Sequence, residues 1–149
     1  MNTTIQRYTP DGLHAHPAFT HVATVSGDAT TIYVGGQNAV TADGEVVGAG
    51  DLAAQTTKAL ANLETALASA GARLDDVLKW TVHVVDGQPV DEGFAAFAHV
   101  WGGRGDPPLI TMLRVAGLAH PEFLVEIDTV AAIPADRTQA HATPAKPKR

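Results

Sequence analysis

The sequence predicts an α+β domain in which two helices cover one face of a mixed β-sheet. The first observation is a long amphipathic helix beginning after Asp51 and followed at once by a strand apolar on nearly every position. The second is the order of elements: strand, strand, helix, strand, helix, strand, strand. The third lies in the last two strands. In LITMLRVA, both alternating sets of side chains are mainly apolar, which is more than a sheet covered on one side needs. The uncovered face therefore calls for an intermolecular cover, and homo-oligomerisation supplies it most simply.

Each element follows from its residues. Residues 1–16 are polar and carry a Pro10, Asp11, Gly12 turn, so they are expected to form an N-terminal surface segment before the core. PAFTHVATV reads as a first strand, and SGDAT as the turn into a second, TTIYVGGQ, making a hairpin. TADGE is a further turn, and VVG a brief edge strand before Asp51 caps the long helix. Within that helix Leu52, Thr56, Leu60, Leu63, Leu67 and Ala70 share one face, and Gly71 supplies the left-handed stop. Val77, Leu78, Trp80, Val82, Val84 and Val85 form the buried strand.

DGQPVDEGFAAFAHVWGG holds the second helix. Pro89 suits its first turn, Asp91 and Glu92 suit its positive end, and Gly102 and Gly103 close it, with Val90, Phe94, Phe97 and Trp101 as the buried face. LITMLRVAGL and FLVEIDTVAAI are the last strands, separated by the turn HPE. From 134 to 149 large apolar side chains almost vanish while prolines and basic residues accumulate, which predicts a disordered tail. One domain, residues 17–133, remains.

Composition narrows the function. With 149 residues, 17% of them charged, and a net charge of −6, the body offers no broad basic surface for a nucleic-acid backbone. The absence of cysteine removes disulfides, thiolate nucleophiles and cysteine metal sites together. No apolar run approaches the ~20 residues that span a bilayer, and the N-terminus lacks the apolar core of a secretion signal. A cytoplasmic protein without membrane or nucleic-acid partners is the expectation.

YVGGQNAVTADGEVVGAGDLAAQTTKALANLETALASAGARLDDVLKWTVHVVD resembles the segment shared by RidA (YjgF) proteins, where a strand ending in a GQ pair leads through a turn and a glutamine-bearing helix to an AG-x-x-x-x-DV strand. FLVEIDTVAAI resembles that family's last strand with its central glutamate. The resemblance implies a chorismate-mutase-like fold, a homotrimer with three small-molecule clefts between subunits, hydrolysis of reactive imines and enamines to keto acids and ammonia, and no metal or organic cofactor.

The family's functional residues do not carry over together. Its deaminases hold the substrate carboxylate with an arginine in a segment resembling PARS, and PLIT here places Ile110 at that arginine and Met112 where cysteine is common. An aliphatic side chain cannot make the bidentate contact a carboxylate favours. Phe19 stands where tyrosine is frequent, and Gly35 where a serine often precedes the GQ pair. Glu126 alone matches an active-site residue. The resemblance is thus to a divergent member, not an efficient 2-aminoacrylate deaminase.

Imine hydrolysis needs a placed water and a group that moves protons between water and nitrogen, and a carboxylate shielded from solvent can do both. Glu126 is the catalytic candidate, against the plainer reading that it pairs with a cation at a subunit interface. Phe19, Gly35, Ile110, Met112 and Arg114 are the substrate-binding candidates, and an apolar cleft lined by Phe19, Ile110 and Met112 favours a larger or less charged molecule than a small 2-imino acid. Arg114 either holds an anionic group or pairs with Glu126 or Asp128 across the sheet. Asp128 shares the face of Glu126 and could pair with it. His14, His16 and His21 lack the pattern of a metal site, His83 reads as a core or interface side chain, and GGQ is too short for a phosphate loop. The alternatives to an enzyme are a non-catalytic trimer that binds a metabolite and a regulatory partner protein.

Overall fold

The computed structural model describes residues 2–138. Its strands are β1 (Thr4–Tyr8), β2 (Val22–Ser26), β3 (Ala29–Gln37), β4 (Val77–Val85), β5 (Leu109–Val115) and β6 (Val125–Pro134), and its helices are α1 (Leu52–Ser69) and α2 (Val90–Trp101). Four strands form a mixed sheet in the order β3-β6-β4-β5, with β4 and β5 parallel and the other pairs antiparallel. The fold is α+β, with both helices on one face.

The helix ends are as the sequence predicts. Asp51 Oδ1 accepts the Ala54 N–H at 3.0 Å. At the other end Gly71 adopts φ 82°, which lets Ala72 N–H return to Leu67 O at 2.9 Å and Gly71 N–H to Ala68 O at 3.0 Å. Leu52, Leu60, Leu63 and Leu67 are buried against Val77, Trp80, Val125, Ile127 and Ile133 of the sheet. Each such leucine contributes about 1.5–3 kcal/mol of apolar burial. α2 comes close to α1 at Gly93, where a Cβ would lie 3.0 Å from Leu52 Cδ2. It packs Phe97 and Trp101 edge-on to Trp80, with ring centroids 5.4 and 6.4 Å apart.

Several local expectations are corrected. Residues 1–16 are not only a surface segment, because Thr4–Tyr8 is a strand that pairs with β2. The second strand accordingly makes no hairpin with β3: β2 pairs with β1, while β3 joins β6. Gly27 makes that departure possible, since its φ is 88° and a Cβ there would meet Asn2 O at 2.3 Å. Val40 and Val46 form a single bridge in place of a short strand. Phe94 is 48% exposed rather than on a buried face.

The first residues of the predicted tail are ordered. Pro134 ends β6, and Ala135–Arg137 form a 3-10 turn from which Arg137 Nη2 reaches Asp76 Oδ2 at 2.8 Å. Residues 139–149 lie outside the described residues. Asp76 belongs to a turn, Leu74–Asp76, gripped from three sides. Arg7 of β1 donates to Val77 O at 2.8 Å and Asp75 O at 2.6 Å, and Arg104 meets Asp75 Oδ1 at 2.9 Å. Burial lowers the pKa of Arg7, opposed by the surrounding Asp76, Asp106 and Asp75.

Candidate functional site

Register decides which candidates can meet. Directly paired residues project to the same face of a sheet. Trp80 pairs with Ile110 on β5 and with Thr129 on β6, and Val82 pairs with Met112 and Ile127. Trp80 is buried beneath α2, so Ile110, Met112 and Arg114 belong to the helix-covered face. His83 pairs with Glu126 and Thr81 with Asp128, which puts these four on the outer face. Tyr33 shares that face and is 79% exposed. Within one chain the catalytic candidate and the proposed cleft wall are therefore on opposite sides of the sheet.

The outer-face centre is built by three strands. Glu126 is half-buried, and its side chain lies over the backbone of Gly36 on β3, where a Cβ would sit 2.7 Å from Glu126 Cδ and 2.8 Å from Oε2. A register shift between Val34 and Gln37 bends β3 at this point. Gly35 is open, with nothing within 4 Å of a Cβ, and its carbonyl accepts from Gln37 Nε2 at 3.2 Å. The glycine fitted to Glu126 is thus Gly36 rather than Gly35. Among the described residues Glu126 has no hydrogen-bond or ion-pair partner, so a cation at a subunit interface would have to come from another copy.

The lead-in to β6 is fixed by Gln55 of α1, which is fully buried. Its Nε2 donates to Glu122 O at 2.8 Å and Gly48 O at 3.2 Å, and its Oε1 accepts Leu124 N–H at 2.9 Å. Two residues beyond Leu124 stands Glu126. A buried amide with its polar groups satisfied thus ties the helix to the strand that carries the carboxylate.

On the other face, Ile110 and Met112 line an apolar cavity of about 70 Å³ together with Leu52, Val82, Phe94 and Phe97. Met112 is 47% exposed at its mouth. Phe19 is not among the lining residues, but its neighbour Thr20 holds the lead-in to β5, donating from N to Pro108 O at 3.4 Å and from Oγ1 to Pro107 O at 2.8 Å. Phe19 itself stacks on His16 at 4.9 Å and meets His21 edge-on at 5.4 Å. Arg114 does not pair across the sheet with Glu126 or Asp128, because it projects to the opposite face. Its carboxylate neighbour is Asp86, 4.0 Å away, and both are exposed.

Two residues that were not among the binding or catalytic candidates lie beside Glu126. Gly36 was visible as the second glycine of GGQ, but its role depends on Glu126 lying across from it. His83 faces Glu126 from β4, and the pairing of strands more than 40 residues apart carries no local sequence signal. Among the described residues, no three His, Cys, Asp or Glu side chains converge so as to hold a metal ion. No helix of the described residues is long and apolar enough to cross a membrane.

The sequence pattern of the family described as Endoribonuclease L-PSP matches residues 11–133. A Rid-family protein from Yersinia pestis, YyfB, is similar in structure with a TM-score of 0.75 and 33% identity, covering 87% of this chain and 98% of that one. The YjgF gene product of E. coli matches with a TM-score of 0.61 and 28% identity over 68% of this chain and 79% of its own. A YjgF/YER057c/UK114 family member from Mycobacterium tuberculosis matches at 0.58 and 27% identity, covering 87% of this chain and all of that one, 100%.

Proposed function

The chain belongs to the YjgF/Rid family, and we propose that it is a homotrimeric hydrolase of an imine, enamine or related C–N bond, with water held by Glu126. The observation that carries this reading is the Glu126 carboxylate, half-buried over Gly36 and without a partner among the described residues. A carboxylate so placed takes a proton from water as the oxygen attacks the C=N carbon and passes it to nitrogen, then carries the second proton from the resulting carbinolamine hydroxyl to nitrogen as C=O forms and the C–N bond breaks. Water and imine give carbonyl and ammonia, and the carboxylate is regenerated. No metal or cofactor enters the proposal.

Assembly supplies what one chain lacks. The outer face carries Tyr33 and Leu113, 79% and 45% exposed, and no helix of the described residues lies over it. A second copy on that face could bring its own Ile110 and Met112, with Phe19 close by, toward the first copy's Glu126. The resulting cleft is apolar on one side and acidic on the other, which disfavours a small 2-imino acid and favours a larger, less charged molecule. An endoribonuclease activity, as in the family's description, gains no support from a net charge of −6.

The test is ammonia release from freshly generated 2-iminopropionate and a panel of bulkier or uncharged imines, with wild type and Glu126→Gln. Turnover of an uncharged imine that is lost in Glu126→Gln supports the hydrolase. An inert wild type that binds a panel member saturably replaces it with the ligand-binding trimer.

A further inference from the structure

We propose that His83 is the second ligand-binding group of the Glu126 site, its imidazole donating a hydrogen bond from Nε2, and that the pair selects an uncharged amide, imine or carbonyl rather than a carboxylate. This rests on the reading of Glu126 as the ligand carboxylate. His83 and Glu126 are direct partners in the antiparallel β4–β6 pairing and share the outer face. Such partners have Cβ atoms about 5 Å apart. The carboxylate is turned toward Gly36 on β3, away from β4, and makes no bond to the imidazole. A molecule lying above β6 can therefore touch both.

Burial distinguishes the two ring nitrogens. His83 Nδ1 is buried and meets no hydrogen-bond partner. That nitrogen is closed off from any ligand. Nε2 is therefore the ring nitrogen that a ligand can reach, and its N–H can donate to that ligand. His83 thus offers one donor and Glu126 an acceptor, the complement of a group with a C=O or C=N acceptor beside an N–H or a bound water.

The remaining charges on this face agree with an uncharged ligand. Asp128 stands two residues from Glu126 on the same strand and face, adding a second negative charge. Lys79 and Tyr33 both sit at the level of Val130, two pairs along from His83, and β5 contributes Leu113 and Thr111, which carry no charge. Arg114 is on the other face. A carboxylate brought to His83 would meet two acids and no adjacent cation.

Propionamide and propionate, alike in shape, test the selection when titrated into full-length protein with ¹⁵N-labelled histidine and glycine. Propionamide should move the His83 ring resonances and the Gly36 amide, lose that effect in His83→Phe, and regain part of it in His83→Gln, which keeps a donor. Propionate should leave them in place. A response to propionate alone, or to neither probe at millimolar concentration, overturns the inference. If His83→Phe hydrolyses imines as fast as wild type, His83 is not a ligand group, whatever becomes of the hydrolase. If propionamide binds at His83 but no imine is turned over, the hydrolase reading fails and the donor–acceptor site stands.

Discussion

The Cβ that Gly36 lacks would lie 2.7 Å from the carboxyl carbon of Glu126. Gly36 is not held at positive φ, so alanine is allowed by the backbone, and the clash is with the end of a flexible side chain. Gly36→Ala is expected to change stability by less than about 1 kcal/mol, since the carboxylate can swing aside. It should nonetheless lower Glu126-dependent turnover at least about tenfold, because a carboxylate displaced by about 1 Å no longer holds its water in line. Denaturation and ammonia-release assays on the same preparation separate the two effects.

Gln55 makes the opposite prediction. Gln55→Ala removes the amide that pairs with Leu124 N–H, Glu122 O and Gly48 O, leaving a buried donor and two carbonyls unsatisfied. A loss of about 2–4 kcal/mol is expected in chemical denaturation. Hydrogen exchange should show the earliest loss of protection at residues 122–126.

Phe97 anchors α2 edge-on to Trp80 and lines the apolar cavity. Phe97→Ala should cost about 3 kcal/mol and enlarge a space that is already partly empty. An uncharged aromatic added in excess should recover part of the lost melting temperature, whereas wild type should respond less.

The Asp76–Arg137 contact ties the end of β6 to the turn before β4. Asp76→Asn should cost about 1–2 kcal/mol, the modest size reflecting the partly exposed Arg137. The side-chain bond to Asp76 raises the pKa of Arg137 above its ordinary value. A raised pKa means that the arginine's contribution is present in full below the unfolded value and is lost only as pH rises through the folded one. Between pH 6 and 9 the difference between wild type and Asp76→Asn should therefore stay flat with respect to this arginine, which urea denaturation at three pH values would check.

Light scattering should give three times the 15.5 kDa chain mass. Tyr33→Glu places a charge on the exposed outer face and should shift the mass toward one chain without unfolding it, as followed by circular dichroism. A wild type that runs as a single chain removes the two-copy cleft.

Sequence pattern reached the helices and the buried strand because their signals are local. Asp51, the leucines of α1 and Gly71 lie within one stretch and specify start, face and stop without reference to the rest of the chain. Phe94 escaped because periodicity shows that an apolar stripe exists but not where its neighbour ends. Thr4–Tyr8 escaped because a five-residue polar strand differs little from a loop until its partner is known. The site divided in the same way. Glu126 was legible through resemblance, whereas Gly36 and His83 acquire their meaning only from register, and register placed Ile110 and Arg114 on the face away from Glu126.

The order β3-β6-β4-β5 places the last strand of the described residues inside the sheet. Ala29 pairs with Pro134, more than a hundred residues later, so β3 has no partner in this sheet until β6 is made, and β4, which meets β5 first, keeps its other edge open until then. During translation the nascent protein can form α1 and the β1–β2 ribbon, but it exposes two unpaired strand edges until β6 emerges and joins them. Closure of the sheet and presentation of Glu126 are then one event, so a chain that stops short of β6 has neither the sheet nor the site.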